Sequence, residues 1–201
     1  MAPERVTDNV RGIWLMIVGS AVLVTNDAVT KHLTESFPIW QILTLRHIAA
    51  IGVILLYAHY VTGWDALKVG HWPSQFIRGF TFIGTTFLVT LSLSLLPLAT
   101  FTAIVFSGPF FVAALSVPML GESVGWRRWA AIGVGFIGVL IIVRPGSQSF
   151  ELALLVPVAT AVFAALRDIV TRKISVTETS LGILFWSTMI VIGASLLALP
   201  W

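Results

Sequence analysis

The 201-residue sequence contains no cysteine, which excludes disulfide frameworks, thiolate metal sites and cysteine nucleophiles. Charge is scarce as well: 12 Lys+Arg and 9 Asp+Glu make up only 10% of the chain. A water-soluble domain dresses its surface with about 25% charged residues, so an ordinary cytosolic domain is excluded. The formal net charge is +3, and no stripe dense in lysine and arginine exists. Nucleic acid is therefore not an expected partner. His32, His47, His59 and His71 lack metal-ligand spacing, so neither a metal nor any other cofactor is expected. What the chain has in abundance is apolar side chains, 57% of its residues, with a mean hydropathy of +0.96.

A membrane helix needs about 20 mostly apolar residues to cross the hydrocarbon layer. Seven stretches qualify: 12–33, 38–61, 73–96, 98–120, 126–144, 150–172 and 180–200. They are too long and too evenly apolar for barrel strands, and the predicted fold is an all-α polytopic membrane helix bundle. The first stretch is longer than a signal-peptide core and contains Asn26, Asp27 and Lys31, so it reads as a span. Orientation follows the cations. Arg5, Arg11, Lys68, Arg78, Arg127, Arg128, Arg172 and Lys173 fall on one side, against Lys31 and Arg144 on the other. This predicts a cytoplasmic amino terminus. Trp14, Trp40, Trp64, Trp72, Trp126 and Trp129 lie near span ends, where an interfacial aromatic belt belongs.

An offset of 141 residues lays the sixth stretch on the first. Asp27-Ala28-Val29-Thr30-Lys31-His32-Leu33 meets Asp168-Ile169-Val170-Thr171-Arg172-Lys173-Ile174, and the same offset pairs Ile42-Leu43 with Ile183-Leu184 and Gly52 with Gly193. Five spans between equivalent positions give the two copies opposite orientations in the membrane. Inverted repeats of this kind place a substrate site at the repeat interface. The expected organisation is a cytoplasmic tail over residues 1–11, a five-span first repeat over 12–146 and two spans of a second repeat over 147–201. By this reading the second repeat is incomplete and the chain looks truncated.

Ionisable side chains within a span are costly, and their default reading is functional. Asp27 sits about 9 Å from the outer end of its span and Arg46 about 12 Å from the same edge, at 1.5 Å per residue. Adjacent antiparallel helices thus bring them to similar depth, and Lys31 stands one turn from Asp27 on the same helix face. Two readings stay open here. One is a static ion pair that fixes helix register; the other makes Asp27 a proton- or cation-responsive carboxylate and Arg46 an anchor for an anionic group. Ser187 occupies the position equivalent to Arg46. Ser107-Gly108-Pro109 predicts a kink in the fourth span, whose freed carbonyls either line a cavity or are packed over by neighbours. Gln41, in the first turn of span two, either points into that cavity or sits at the interface. Gly133-Val134-Gly135-Phe136-Ile137-Gly138 matches a dinucleotide fingerprint literally, yet it lies inside a span with no preceding strand. Ala131 and Gly135, four apart, are expected instead to allow close helix approach. Arg167 and Asp168 are expected near the inner headgroups, and Glu122 with Arg127 and Arg128 in a solvated cluster.

Pro109-Phe110-Phe111, Leu120-Gly121-Glu122, Gly125-Trp126-Arg127-Arg128-Trp129-Ala130-Ala131, Gly138-Val139 and Arg144-Pro145-Gly146 form a pattern that resembles the end of the first unit of the EamA branch of the drug/metabolite transporter superfamily. Asn26-Asp27-Ala28 with Lys31, and Gln41 with Arg46, resemble its opening helices. The resemblance implies ten helices in two inverted units, and a secondary carrier of a small polar or zwitterionic metabolite working by alternating access, with proton coupling as an option. It implies a multi-pass protein of the cell membrane, expected in a bacterial inner membrane. The expected partners are a small-molecule substrate, the lipid bilayer and, as a further candidate, a second copy in a homodimer. Asn26, Asp27, Lys31, Gln41, Arg46, Ser107 and Pro109 are the candidate site residues, with Ser92, Ser94 and Thr102 as weaker ones. The alternative is a non-transporting scaffold or a fragment of a larger carrier. No ATP-binding loop is recognisable, and no paired carboxylates stand at catalytic spacing, so an enzyme is not expected.

Overall fold

The computed structural model describes residues 9–121, 125–143 and 152–198. The tail cation Arg5, Glu122, the Arg144-Pro145-Gly146 motif and the ends of the last two predicted spans lie outside the described residues. Within them the chain is helical: α1 (Asn9–Leu33), α2 (Ile39–Tyr57), α3 (Trp72–Leu95), α4 (Leu98–Val105), α5 (Gly108–Leu120), α6 (Trp126–Val143), α7 (Leu155–Ile174) and α8 (Ser180–Ala198). Among the described residues six helical segments are long and apolar enough to cross a membrane, with α4 and α5 counted as one broken span. The predicted fifth span coincides with the 18-residue helix α6, Trp126–Val143.

The break in the fourth span falls where proline chemistry puts it. Pro109 stands in the first turn of α5, where its missing N–H costs nothing, and Phe106 and Ser107 form the joint. At its far end α2 widens into a single π turn over Ala58–Thr62, closed by Gly63 N–H donating to the Ala58 carbonyl at 2.7 Å. Gly63 takes a left-handed φ of +80° there, a conformation glycine adopts without a Cβ penalty.

α3 is the centre of the bundle and is built inside out. Its buried face carries Gln75, Arg78, Thr81, Thr85, Thr86, Thr90 and Ser92, while Phe76, Ile77 and Phe80 are exposed. The hydroxyls are satisfied locally: Thr85 donates to the Thr81 carbonyl, Thr90 to that of Thr86 and Ser92 to that of Leu88, at 2.7–2.9 Å. Such back-bonding lets Ser and Thr be buried in a helix without orphaned donors. α3 packs against both α7 and α8, and α2 packs against α8, where Thr44 Oγ1 donates to Ser195 Oγ at 2.9 Å. α1 lies outermost, with Ile13–Val18 all exposed, an apolar surface suited to lipid.

The α1–α2 and α7–α8 connections share a set of backbone hydrogen bonds at an offset of 141 residues. Thr34 N–H donates to Thr30 O at 3.0 Å and Ser175 N–H to Thr171 O at 2.9 Å; Phe37 N–H donates to Leu33 O and Glu178 N–H to Ile174 O, at 3.0 and 2.9 Å. Their tips lie at opposite ends of the bundle. The α7–α8 tip sits against the α2–α3 connection, with Glu178 Oε1 accepting from the Gly70 and His71 amides at 2.8 and 2.9 Å. The α1–α2 tip lies at the other end of α2.

On that same α2–α3 connection Lys68 Nζ meets Asp65 Oδ1 at 2.6 Å. The hydrogen bond and charge of Lys68 hold the Asp65 carboxyl below its ordinary range, and Asp65 in turn raises the lysine. The sign follows: any stabilisation is present at neutral pH, is lost as pH falls through the lowered Asp65 value, and is lost again as pH rises through the raised Lys68 value. Both groups are fully exposed, so salt screens the pair. Asp65→Asn is expected to leave the thermal midpoint nearly unchanged at neutral pH and to flatten its acid dependence; thermal scans from pH 7 to pH 3 check this.

Candidate functional site

Cavities open between the helices of the described residues. One of about 350 Å³ lies between α1 and α2 and is lined by Asn26, Thr30, Gln41 and Arg46 among apolar Val29, Leu33, Phe37, Ile42 and Leu45. Thr30 is buried and its hydroxyl is tied to the Asn26 carbonyl at 2.8 Å. Arg46 and Gln41 are half-buried. The residue pattern puts a guanidinium, two side-chain amides and a hydroxyl on an otherwise apolar wall. That set can hold an anionic or amide-bearing group while the wall takes an apolar body.

Asp27 does not join them. One step along a helix turns a side chain by about 100°, and Asp27 lines a separate recess of about 170 Å³ between α1 and α4, with Ser20, Phe101, Thr102 and Phe106. The Asp27 carboxylate and the Arg46 guanidinium attract each other electrostatically, but no contact ion pair joins them. Ion pairs among the described residues include His32–Glu35, Asp65–Lys68 and Arg167–Asp168. The direct pairing of Asp27 with Arg46 or with Lys31 that one reading of the sequence allows is not among these contacts; Asp27 lines its recess with residues of α4. Lys31 lines none of these cavities.

Ser107 and Pro109 belong to a third cavity, of about 470 Å³, bounded by Phe106, Phe110, Ala113 and, on α6, Ala131, Ile132, Gly135 and Gly138. The Ser107 hydroxyl is buried and has no hydrogen-bond partner among the described residues. Gly135 has no heavy atom within 4 Å of where a Cβ would stand. The expected close helix approach at Ala131 and Gly135 is therefore corrected: these small residues hollow out a cavity instead. Among the weaker candidates, Thr102 lines the Asp27 recess, Ser92 meets Thr160 Oγ1 at 3.3 Å across α3 and α7, and Ser94 is exposed.

One charged residue was misplaced by sequence reasoning. Arg78, counted as an interfacial cation, is only 5% exposed. Its Nε donates to Thr171 Oγ1 at 2.8 Å, and its Nη1 donates to the Ile183 carbonyl at 3.2 Å and to the Ser187 hydroxyl. The guanidinium also lies 5.6 Å from the centre of the Phe82 ring, within cation–π range. Arg167, by contrast, grips Asp168 through Nε and Nη2 at 3.0 and 2.7 Å. Among the described residues no group of three or more His, Cys, Asp or Glu could hold a metal.

Residues 10–144 match the model of the EamA-like transporter family. An S-adenosylmethionine uptake transporter of Rickettsia prowazekii is 30% identical over 186 residues, covering 92% of this chain and 63% of the relative. A riboflavin transporter of Vibrio cholerae and a pseudopaline exporter of Pseudomonas aeruginosa are each 28% identical over 192 residues, covering 94% of this chain and 64% and 65% of theirs. The chain thus spans a little under two thirds of the length of these relatives. No solved structure matches it.

Proposed function

Because the chain belongs to the EamA-like transporter family, we propose that it carries a small polar or zwitterionic metabolite across the membrane by alternating access. The observation that carries the reading is the pair of equivalent helical hairpins, α1–α2 and α7–α8, whose matching connections lie at opposite ends of one bundle. Two copies of one unit in opposite orientations give a carrier two nearly equivalent states, one open to each side. The cavity between α1 and α2 is the substrate site. Arg46 anchors the anionic group, and Gln41 and Asn26 hydrogen-bond its neighbours. Asp27, in the adjoining recess, responds to protons or cations and modulates Arg46 through the field they share. Ser107, with its free hydroxyl, and Pro109, which breaks the span, shape the α5–α6 cavity on the same path.

The relatives are bacterial and named for S-adenosylmethionine, riboflavin and pseudopaline, which supports a bacterial inner membrane and a polar metabolite of that size class. The clustering of Lys68, Arg172 and Lys173 by the α2–α3 and α7–α8 connections supports a cytoplasmic amino terminus.

In vesicles reconstituted with the chain, Arg46→Ala is expected to lower uptake of a carboxylate-bearing substrate about tenfold or more, the worth of one charge-assisted hydrogen bond. Asp27→Asn is expected to abolish the response to an imposed proton gradient. Parent-like uptake and gradient response in both variants would remove the site. A second reading, a scaffold or one part of a larger carrier, is favoured by the unpacked apolar face of α1. A second copy or further helices would cover that face. A well-folded chain that moves no substrate alone, and elutes as a dimer or with further subunits, would favour it.

A further inference from the structure

The residues lining the α1–α2 cavity have counterparts 141 positions on: Thr30 in Thr171, Gln41 in Gly182, Ile42 in Ile183, Leu45 in Trp186 and Arg46 in Ser187. In the first hairpin these positions surround open space. In the second they are covered by the chain itself. Thr171, the Ile183 carbonyl and Ser187 all receive hydrogen bonds from Arg78. Trp186 Nε1 donates to the Leu67 carbonyl at 3.0 Å, and Thr179 Oγ1 to the Ala66 carbonyl at 2.5 Å. A Cβ on Gly182 would stand 3.1 Å from the Ala66 carbonyl and 3.3 Å from that of Lys68. Glycine there, where the first hairpin has Gln41, is what admits this backbone. Glu178 closes the far end by capping the amides of Gly70 and His71.

We propose that residues 66–78 are a gate that plugs the second hairpin's copy of the substrate cavity, and that Arg78 is its latch. Arg78 suits the part because its nearest partners are hydroxyls and a carbonyl, not a carboxylate. Those partners satisfy its donors without the strong attraction of a buried ion pair. Withdrawal of the guanidinium frees Thr171 and Ser187 together and opens a cavity at the end of the bundle opposite the first. The two cavities then exchange by one event, release of a plug on one side. The proposal rests on the carrier reading above and adds the residues that close one face.

The absence of native cysteine makes the test direct. Ile183→Cys keeps the backbone carbonyl that Arg78 uses and places a thiol, now buried, behind the gate. A membrane-impermeant maleimide is applied to the face bearing the α2–α3 connection. The parent background should protect the thiol. Arg78→Ala should raise its labelling rate about tenfold or more, the equilibrium shift expected from losing one hydrogen bond to a charged group. Glu178→Ala, at the exposed end of the gate, should raise it in the same direction and carries the test if Arg78→Ala does not fold. Leu33→Cys, in the open cavity, should label from the opposite face in every folded variant. Protection of Ile183→Cys unchanged in a folded gate variant would overturn the proposal. Labelling needs no substrate, so the two readings fail separately. Gating without uptake would sink the carrier, and uptake with unaltered protection would sink the gate.

Discussion

Gly79→Val should be among the most destabilising single substitutions in the protein, with Gly84→Val close behind. A Cβ at Gly79 would overlap Ile190 Cδ1 and stand 3.0 Å from its Cγ2 and 3.2 Å from its Cβ, so rotating the end of the isoleucine chain does not make room. At Gly84 it would stand 2.6 Å from two atoms of the Phe163 ring. These two contacts set the separation of α3 from α8 and from α7. Overpacking of this kind costs about 1–3 kcal/mol, and valine adds a second and third carbon to the clash. Opposing it, replacing glycine in a helix gains up to about 1 kcal/mol from propensity. Gly52 and Gly193 isolate that gain, because neither has a heavy atom within 4 Å of a built Cβ. The expected order of unfolding midpoints in detergent is Gly52→Ala and Gly193→Ala at or above the parent, Gly79→Ala and Gly84→Ala below it, and the valines lowest. Phe163→Leu should recover part of the Gly84→Ala loss and none of the Gly79→Ala loss. Equal midpoints for Gly79→Ala and Gly52→Ala would show that α3 and α8 are not held at this distance.

The spans were legible because twenty apolar residues in a row have few fates, and the break in the fourth because proline cannot donate at Pro109. Arg46 was legible as a site candidate because a charge within a span defaults to function, and Asn26 and Gln41 through the resemblance of the opening helices. Asp27 was legible in depth but not in direction, because depth says nothing about helix face: one residue on from Asn26, its side chain lines another cavity. Arg78 was hidden by a rule that counts cations per connection and ignores what lies beside them. A signal was present, however. Gln75, Arg78, Thr81, Thr85 and Thr90 recur at spacings of three to five through an otherwise apolar helix, which is a polar stripe looking inward. Ala131 and Gly135 misled for a different reason. Small residues permit close approach, but only the neighbouring helix decides whether it happens, and here α5 leaves a cavity.

Gln75→Leu should stabilise the protein while impairing its cycle. Gln75 is 1% exposed, and neither its Oε1 nor its Nε2 has a hydrogen-bond partner among the described residues. An amide buried in that way costs about 1–3 kcal/mol relative to a paired one, and leucine removes the cost while filling most of the volume. The expected gain is about 1–2 kcal/mol in unfolding free energy by the same measure. Stability alone gives no reason for an amide at that position. It stands one turn before Arg78 on the same face of α3, inside the segment proposed to move, so its donors and acceptor are available to whatever the open gate exposes. Stabilising only the closed arrangement deepens one of two wells, and a carrier needs both. Gln75→Leu should therefore raise the midpoint, slow maleimide labelling of Ile183→Cys below the parent rate and reduce uptake, three shifts that a passive core position would not combine. A lowered midpoint would mean that the amide is already paired in the closed state, and would take away the argument that α3 holds a group in reserve for the open one.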